Sequence, residues 1–204
     1  MKPLYSLLFL LLSTSDLSAQ KIIEMGPVMG VALPQIIERN ENITKPMPGF
    51  CVGIRGDALY ATKKKNLYIG IGLQGSLFYF STVPSGENME PVGFFGLSMS
   101  APLTVQKVFP VGNFFLRTNL GIMPIIETSG LVRTDYPDGG LRANIAPTAG
   151  LGLTLDQRTT IGFEWYMPIR LYGAPSQNYS YHLHDFSFTV MYCFRKYRFT
   201  STKK

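Results

Sequence analysis

Between Asn66 and Phe80 the chain reads NLYIGIGLQGSLFYF, and its aliphatic residues fall on every second position. Leu67, Ile69, Ile71, Leu73 and Leu77 share one parity. The other parity carries Gly70, Gly72, Gln74 and Ser76, with Tyr68, Phe78 and Phe80 at its ends. Successive side chains of a strand point to opposite faces, so this segment is a strand with one aliphatic face and one mostly small, polar face. Seven further segments have strand character: Lys21 to Leu33, Gly49 to Tyr60, Gly93 to Val105, Phe114 to Ile126, Leu141 to Leu155, Thr159 to Tyr172 and Asp185 to Phe194. The eight average about a dozen residues, against a mode of about 5 to 6 for soluble strands and the ~9 to 11 of a tilted membrane strand.

The connections alternate in length. Pro34 to Pro48, Ser81 to Val92, Glu127 to Gly140 and Gly173 to His184 are long, whereas ATKKKN, QKVFPVGN and DQR are short. That alternation is what eight up-and-down strands produce when both termini and the short turns lie on the periplasmic side and the longer loops lie outside.

The facing of charge separates a membrane barrel from a soluble one. The more apolar parity of each strand, such as Phe50, Val52 and Ile54, or Phe95, Leu97 and Met99, or Phe186, Phe188 and Val190, contains no charge. The opposite parity holds Arg55, Asp57, Arg117, Arg142, Glu164 and Arg170, with Gln74, Ser98, Ser100, Asn119, Asn144, Thr148, Ser187 and Thr189; Glu24 in the first strand shares it. A soluble barrel needs its aliphatic face inside and a dense Lys and Glu surface outside. Here the polar face is small residues with isolated Arg and Glu, which suits the narrow lumen of eight strands. The pattern predicts an all-β, eight-stranded antiparallel up-and-down transmembrane β-barrel whose partner is outer-membrane lipid. Pro27, Pro102, Pro124, Pro147 and Pro168 lie in or near strands and are expected at bulges or strand ends, since a closed barrel has no free edge to excuse a missing N–H. The register around Pro147 is the least determined.

The ends of the chain set its compartment. MKPLYSLLFLLLSTSDLSAQ has a basic n-region at Lys2, an apolar run from Leu4 to Leu12 and a small-residue site at Ser18-Ala19-Gln20. It reads as a secretory signal peptide occupying residues 1–20 and removed after Ala19 or Gln20, since the run is too short to span a bilayer. The barrel then occupies 21–194 and a basic periplasmic tail 195–204. With 20 Gly, 14 Phe and 11 Tyr among 204 residues and only 16% charged, the composition also disfavours helix. Cys51 and Cys193 fall at opposite ends of the predicted barrel, so no bridge between them is expected.

The pattern resembles that of the small OmpA-like and PorT-like outer-membrane barrels, which have a signal peptide ending in Ala-Gln, a Gly-rich first strand and a last strand of alternating aromatics ending in Phe. Here these are SAQ, EMGPVMGVAL and FSFTVMYCF, and the similarity spans essentially the whole mature chain. The tail RKYRFTSTKK after Phe194 departs from that pattern, because in such barrels a terminal Phe forms part of the assembly signal; Phe199 is the other candidate for that role. The resemblance implies architecture rather than a particular activity.

Candidate chemistry is sparse. The inward charges Arg55, Asp57, Arg117, Arg142, Glu164 and Arg170 read either as an ion-paired plug or as an Arg-lined conduction path, and the narrow lumen favours the plug. His182 and His184 in YSYHLHD share a strand face, as metal ligands would, but sit at the predicted outer rim with few convergent partners. His184, Ser187 and Glu164 supply the residue types of a base, nucleophile and orienter for a lipid-modifying barrel enzyme, without a spacing that identifies one. A soluble lipocalin-like carrier would need an aliphatic lumen. No catalytic, cofactor or metal site is assigned, and the expectation is a non-enzymatic barrel with a structural, adhesive or assembly-partner role. The net charge of +6 and pI near 9.3 suggest nucleic acid in a cytosolic chain, but not in an exported one. On the predicted topology the positive charge collects at the periplasmic end, at Lys63, Lys64, Lys65, Lys107, Arg158 and the tail, while the outer loops carry Glu38, Glu41, Glu87, Glu90, Glu127, Asp135 and Asp138. A periplasmic or cell-surface protein partner is therefore the expected kind of macromolecular contact.

Overall fold

A computed structural model describes residues 21–37, 45–83, 92–131, 140–156, 158–172 and 180–194. Residues 1–20, expected on sequence to be a signal peptide, residues 38–44, 84–91, 132–139 and 173–179 of the four long connections, and the tail 195–204 lie outside the described residues. The strands are β1 (Lys21–Ile37), β2 (Lys45–Ala61), β3 (Leu67–Val83), β4 (Val92–Ser100), β5 (Leu103–Val111), β6 (Phe114–Leu131), β7 (Gly140–Thr154), β8 (Thr159–Tyr166), β9 (Ile169–Tyr172) and β10 (Ser180–Cys193). All pairings are antiparallel, and the sheet closes: β3 pairs with both β4 and β5, β6 with both of these and with β7, β7 with β8 and β9, and β10 with β1.

Ten strands make eight staves because two staves are interrupted. Ala101-Pro102 separates β4 from β5, and Met167-Pro168 separates β8 from β9. Proline has no N–H to give to a ladder, and these two staves break at theirs, whereas Pro124 and Pro147 lie inside β6 and β7 rather than at the bulges or strand ends expected of them. The chain bridges the gaps with single bonds: Gly72 N donates to Pro102 O at 2.9 Å, Ala101 N to Pro124 O at 3.0 Å, and Met167 N to Pro147 O at 3.4 Å. Pro147 itself does not shift the register. Ile122 pairs with Pro147, and residues 144, 146 and 148 stay inward.

Several boundaries differ from the sequence expectation: β1 runs on to Ile37, β2 begins at Lys45, β3 runs on to Val83 and β10 begins at Ser180, all within segments read as long connections. QKVFPVGN is a turn only at Gly112-Asn113, and strand β5 continues through Val111. Gly112 has φ +59°, a left-handed value at the first central position of a two-residue hairpin, where a side chain is disfavoured. At the other end of the barrel, β6 runs on to Leu131, so Glu127 belongs to the wall and not to an outer loop. The other short turns match their sequence. Asn66 takes φ +57° in the 62–66 turn, where Thr62 Oγ1 accepts from Lys64 N at 3.2 Å and donates to Leu67 O at 3.0 Å.

The predicted outward parity is the exposed one. Ile54 is 64% exposed, Leu73 72%, Met99 68% and Leu120 68%, and together with Phe95, Leu97, Leu151, Phe163 and Phe188 they form an apolar girdle that carries no charge among the described residues. Water cannot be the solvent of such a surface, which far exceeds the apolar patches soluble monomers expose. Closed barrels of strands are one of the two structures that satisfy every backbone group in hydrocarbon. Aromatic contacts sit toward the girdle's edges, Phe50 with Tyr79 at 5.7 Å and Tyr192 with Phe194 at 6.1 Å between ring centroids.

Candidate functional site: the barrel interior

The buried residues of the inward parity are arranged in layers. Nearest the short turns lies an apolar layer of Ile22, Leu59, Tyr68, Val108 and Cys193, with Ala61 and Phe115 packed against it. Above it come the buried ionic groups. Toward the loops two further apolar clusters follow, Ala32, Cys51, Phe78 and Phe80 on one side and Met123, Ile125, Ala146 and Tyr166 on the other. Phe78 and Phe80 stack with ring centroids 6.3 Å apart. The expectation of a lumen lined by small polar residues with isolated charges therefore holds for its middle only. Eight staves leave just enough room for side chains, and above and below the charges large apolar groups fill that room more favourably than unpaired polar ones.

The ionic middle is two clusters. In the first, Arg117 donates from Nη1 to Glu24 Oε2 at 2.9 Å and from Nη2 to Glu24 Oε1 at 2.7 Å, a bidentate pair. The same guanidinium donates to Gln106 Oε1 at 2.5 Å and Thr160 Oγ1 at 2.9 Å. Gln106 in turn donates to Thr104 Oγ1 at 3.2 Å, and the Thr154 and Thr160 hydroxyls lie 2.9 Å apart. In the second cluster, Arg55 Nε donates to Asp57 Oδ2 at 2.9 Å and Oδ1 at 3.1 Å, and Arg55 Nη1 donates to Glu164 Oε2. All five charged groups are buried.

The structure thus brings Arg55, Asp57 and Glu164 together, and pairs Arg117 with Glu24. Arg142 does not join them. It is buried eight residues up β7 from Gly150, roughly 27 Å along the strand, as the ladder partner of Glu127. Glu127, assigned to an outer loop on sequence, is buried and accepts from Asn144 Nδ2 at 3.0 Å; its inward parity in GIMPIIETSGL was the signal for it. Arg170 pairs with Asn144 along the backbone, but its side chain lies outside the described ones, as do those of His182 and His184. Ser187 is buried, and its hydroxyl donates to the Glu164 backbone carbonyl at 3.4 Å. Among the described residues no three of His, Cys, Asp and Glu are grouped to hold a metal ion.

No protein-family model and no curated protein matches the chain by sequence. Solved structures do. Neisserial surface protein A (NspA) superposes with a TM-score of 0.52 at 9% identity, over 85% of this chain and 98% of that one. The outer membrane protein OprG from Pseudomonas aeruginosa gives 0.52 at 13% identity, over 86% and 95%. The chain has the fold of the small outer-membrane β-barrels. At these identities the likeness is one of fold, which hosts several functions.

Proposed function

We propose that this chain is an outer-membrane β-barrel with a closed lumen and no catalytic activity, acting as a structural, adhesive or assembly component through its outer loops or periplasmic rim. The observation that carries the reading is the combination of a charge-free apolar girdle with a lumen in which buried ion pairs lie between apolar layers. A conduction path needs a continuous polar route, and Ile22, Leu59, Val108, Phe78 and Phe80 interrupt it. The rim at the short turns offers Lys63, Lys64 and Lys65, all exposed, with Lys107 Nζ donating to Lys65 O at 2.8 Å and Arg158 Nη1 to Tyr192 Oη at 2.9 Å. Against them stands Asp156, so the rim suits an acidic periplasmic partner.

The test is fractionation followed by reconstitution. The protein should partition with the outer membrane, migrate differently on gels before and after heating, and show no steady conductance in planar bilayers. Recovery as a soluble periplasmic monomer would overturn the location, and large stable channels would overturn the closed lumen. Photo-crosslinkers placed at Lys64 should capture an acidic periplasmic protein if the rim is the docking face.

A further inference from the structure

Three glycines, Gly150, Gly152 and Gly162, strip side chains from the inner wall of β7 and β8. Gly150 is the ladder partner of Asn119 on β6 and of Glu164 on β8, so two inward side chains flank a bare backbone from either side. With strands ~4.8 Å apart, the Cα atoms of Asn119 and Glu164 are roughly 10 Å apart. Asn119 Oδ1 leans over the gap, 2.6 Å from where a Gly150 Cβ would stand. A cavity of about 40 Å³ opens beside this row, lined by Gly152, Gly162 and Asn119 and by the five charged side chains of the ionic middle. It has room for at least one particle the size of a water molecule.

Two features of this cavity point to a positive occupant. Its ionisable lining is three carboxylates, Glu24, Asp57 and Glu164, against two guanidiniums, Arg55 and Arg117, which leaves one negative charge in excess. Independently, Glu164 Oε1 and Asn119 Oδ1 are buried acceptors with no hydrogen-bond donor, and Glu164 as a whole is 4% exposed. Buried acceptors are normally satisfied, and a buried excess charge costs several kcal/mol unless it is compensated.

We propose that the cavity binds one monovalent cation, held by Glu164 Oε1 and Asn119 Oδ1 and neutralising the ionic middle of the lumen. A divalent ion fits less well, because the excess is a single negative charge and a second positive charge would itself be left uncompensated. Arg55 and Arg117 each already satisfy a carboxylate, so the cation takes the charge they leave over.

Rubidium is the probe. Protein refolded in rubidium chloride and crystallised from it should show one anomalous-scattering peak between Glu164 Oε1 and Asn119 Oδ1. The peak should vanish in Glu164→Gln, which keeps the shape and removes the charge, and in Asn119→Leu, which leaves the Arg55 pairing untouched. In detergent, the unfolding midpoint of the unmutated protein should fall when rubidium chloride is replaced at constant ionic strength by tetramethylammonium chloride, whose cation is too large for the cavity; that of Glu164→Gln should not move. No peak together with a midpoint indifferent to the cation overturns the proposal, as does a peak that survives both substitutions, an adventitious ion only. An infrared band of a protonated carboxylic acid that is lost in Glu164→Gln also overturns it, since the cavity then holds a proton.

Discussion

Arg117 and Glu24, 93 residues apart in sequence, join β6 to β1 across the lumen through two parallel hydrogen bonds of 2.9 and 2.7 Å. On the closed ring these staves are diametrically opposite, four steps apart in either direction. The pair therefore ties together halves of the barrel that share no ladder. Replacing Glu24 by Ala takes the bidentate carboxylate away from the buried Arg117 guanidinium, and should cost on the order of 3 to 5 kcal/mol. The double replacement Glu24→Leu with Arg117→Met should recover much of that. Urea unfolding followed by heat-dependent gel mobility measures both, and equal losses in the single and double variants would show that the cost lies in losing the pair itself rather than in stranding the guanidinium.

Closure of the barrel depends on Gly26. A Cβ there would lie 1.8 Å from Val190 O and 2.9 Å from Met191 Cα, both backbone atoms of β10. No side-chain rotation relieves such a contact, and it falls on the seam where the first strand meets the last. Gly26→Ala should destabilise by at least the ~1 to 3 kcal/mol typical of overpacking and slow folding into detergent. Gly75→Ala is the control, since a Cβ at that position meets nothing within 4 Å.

Four prolines, Pro102, Pro124, Pro147 and Pro168, cross four consecutive staves in one belt: Pro147 pairs with Ile122, Pro124 with Ile145, and Pro102 and Pro168 fall at the two strand breaks. Each removes a ladder donor. Amides at residues 101, 123, 146 and 167 should exchange with deuterium faster than those of the uninterrupted stretch from Phe50 to Ala61. Uniform protection around the wall would mean that the bridging bonds at Gly72, Ala101 and Met167 restore full strength.

The β7–β8 turn is organised by Asp156, whose carboxylate accepts from Thr159 N at 2.6 Å and Arg158 N at 2.9 Å. Those backbone bonds, Thr159 first, hold the Asp156 carboxyl below its ordinary range. A lowered folded value means that the contribution is fully present above the unfolded value of about 3.9 and is lost as pH falls through the folded one. Stability of the unmutated protein should thus decline below about pH 4 more steeply than that of Asp156→Ala. Parallel acid titrations of the two proteins, followed by tryptophan fluorescence, check the difference in slope.

Cys51 lies in the loop-side apolar cluster and Cys193 in the turn-side one. Cys193 shares a ladder row with Glu24 and Asp57, six residues from Cys51 on β2, or roughly 20 Å along the strand. That exceeds the ~7 Å limit for a bridge. Mass spectrometry should find no Cys51–Cys193 link, and a maleimide should react with both thiols only after unfolding.

Much of this architecture is written in the period-2 pattern. Side chains of a strand alternate strictly, so the parity of Leu67 to Leu77, or of Phe186 to Phe194, fixes both the strand and the face that meets lipid. Arg55, Asp57, Arg117, Arg142 and Glu164 could be placed inward on the same ground, and alternating connection lengths gave the up-and-down order. Parity says nothing, however, about height or about which staves oppose each other. Only the closed register sets Glu24 against Arg117 and Glu164 against Arg55 while leaving Arg142 far away beside Glu127. It also decides that Phe78, Phe80, Met123 and Tyr166, exceptions to the polar parity when read along the chain, are the layers above the ionic middle. The bare wall at Gly150 is likewise a product of three strands meeting in one row, Asn119, Gly150 and Glu164, whose juxtaposition no single strand encodes.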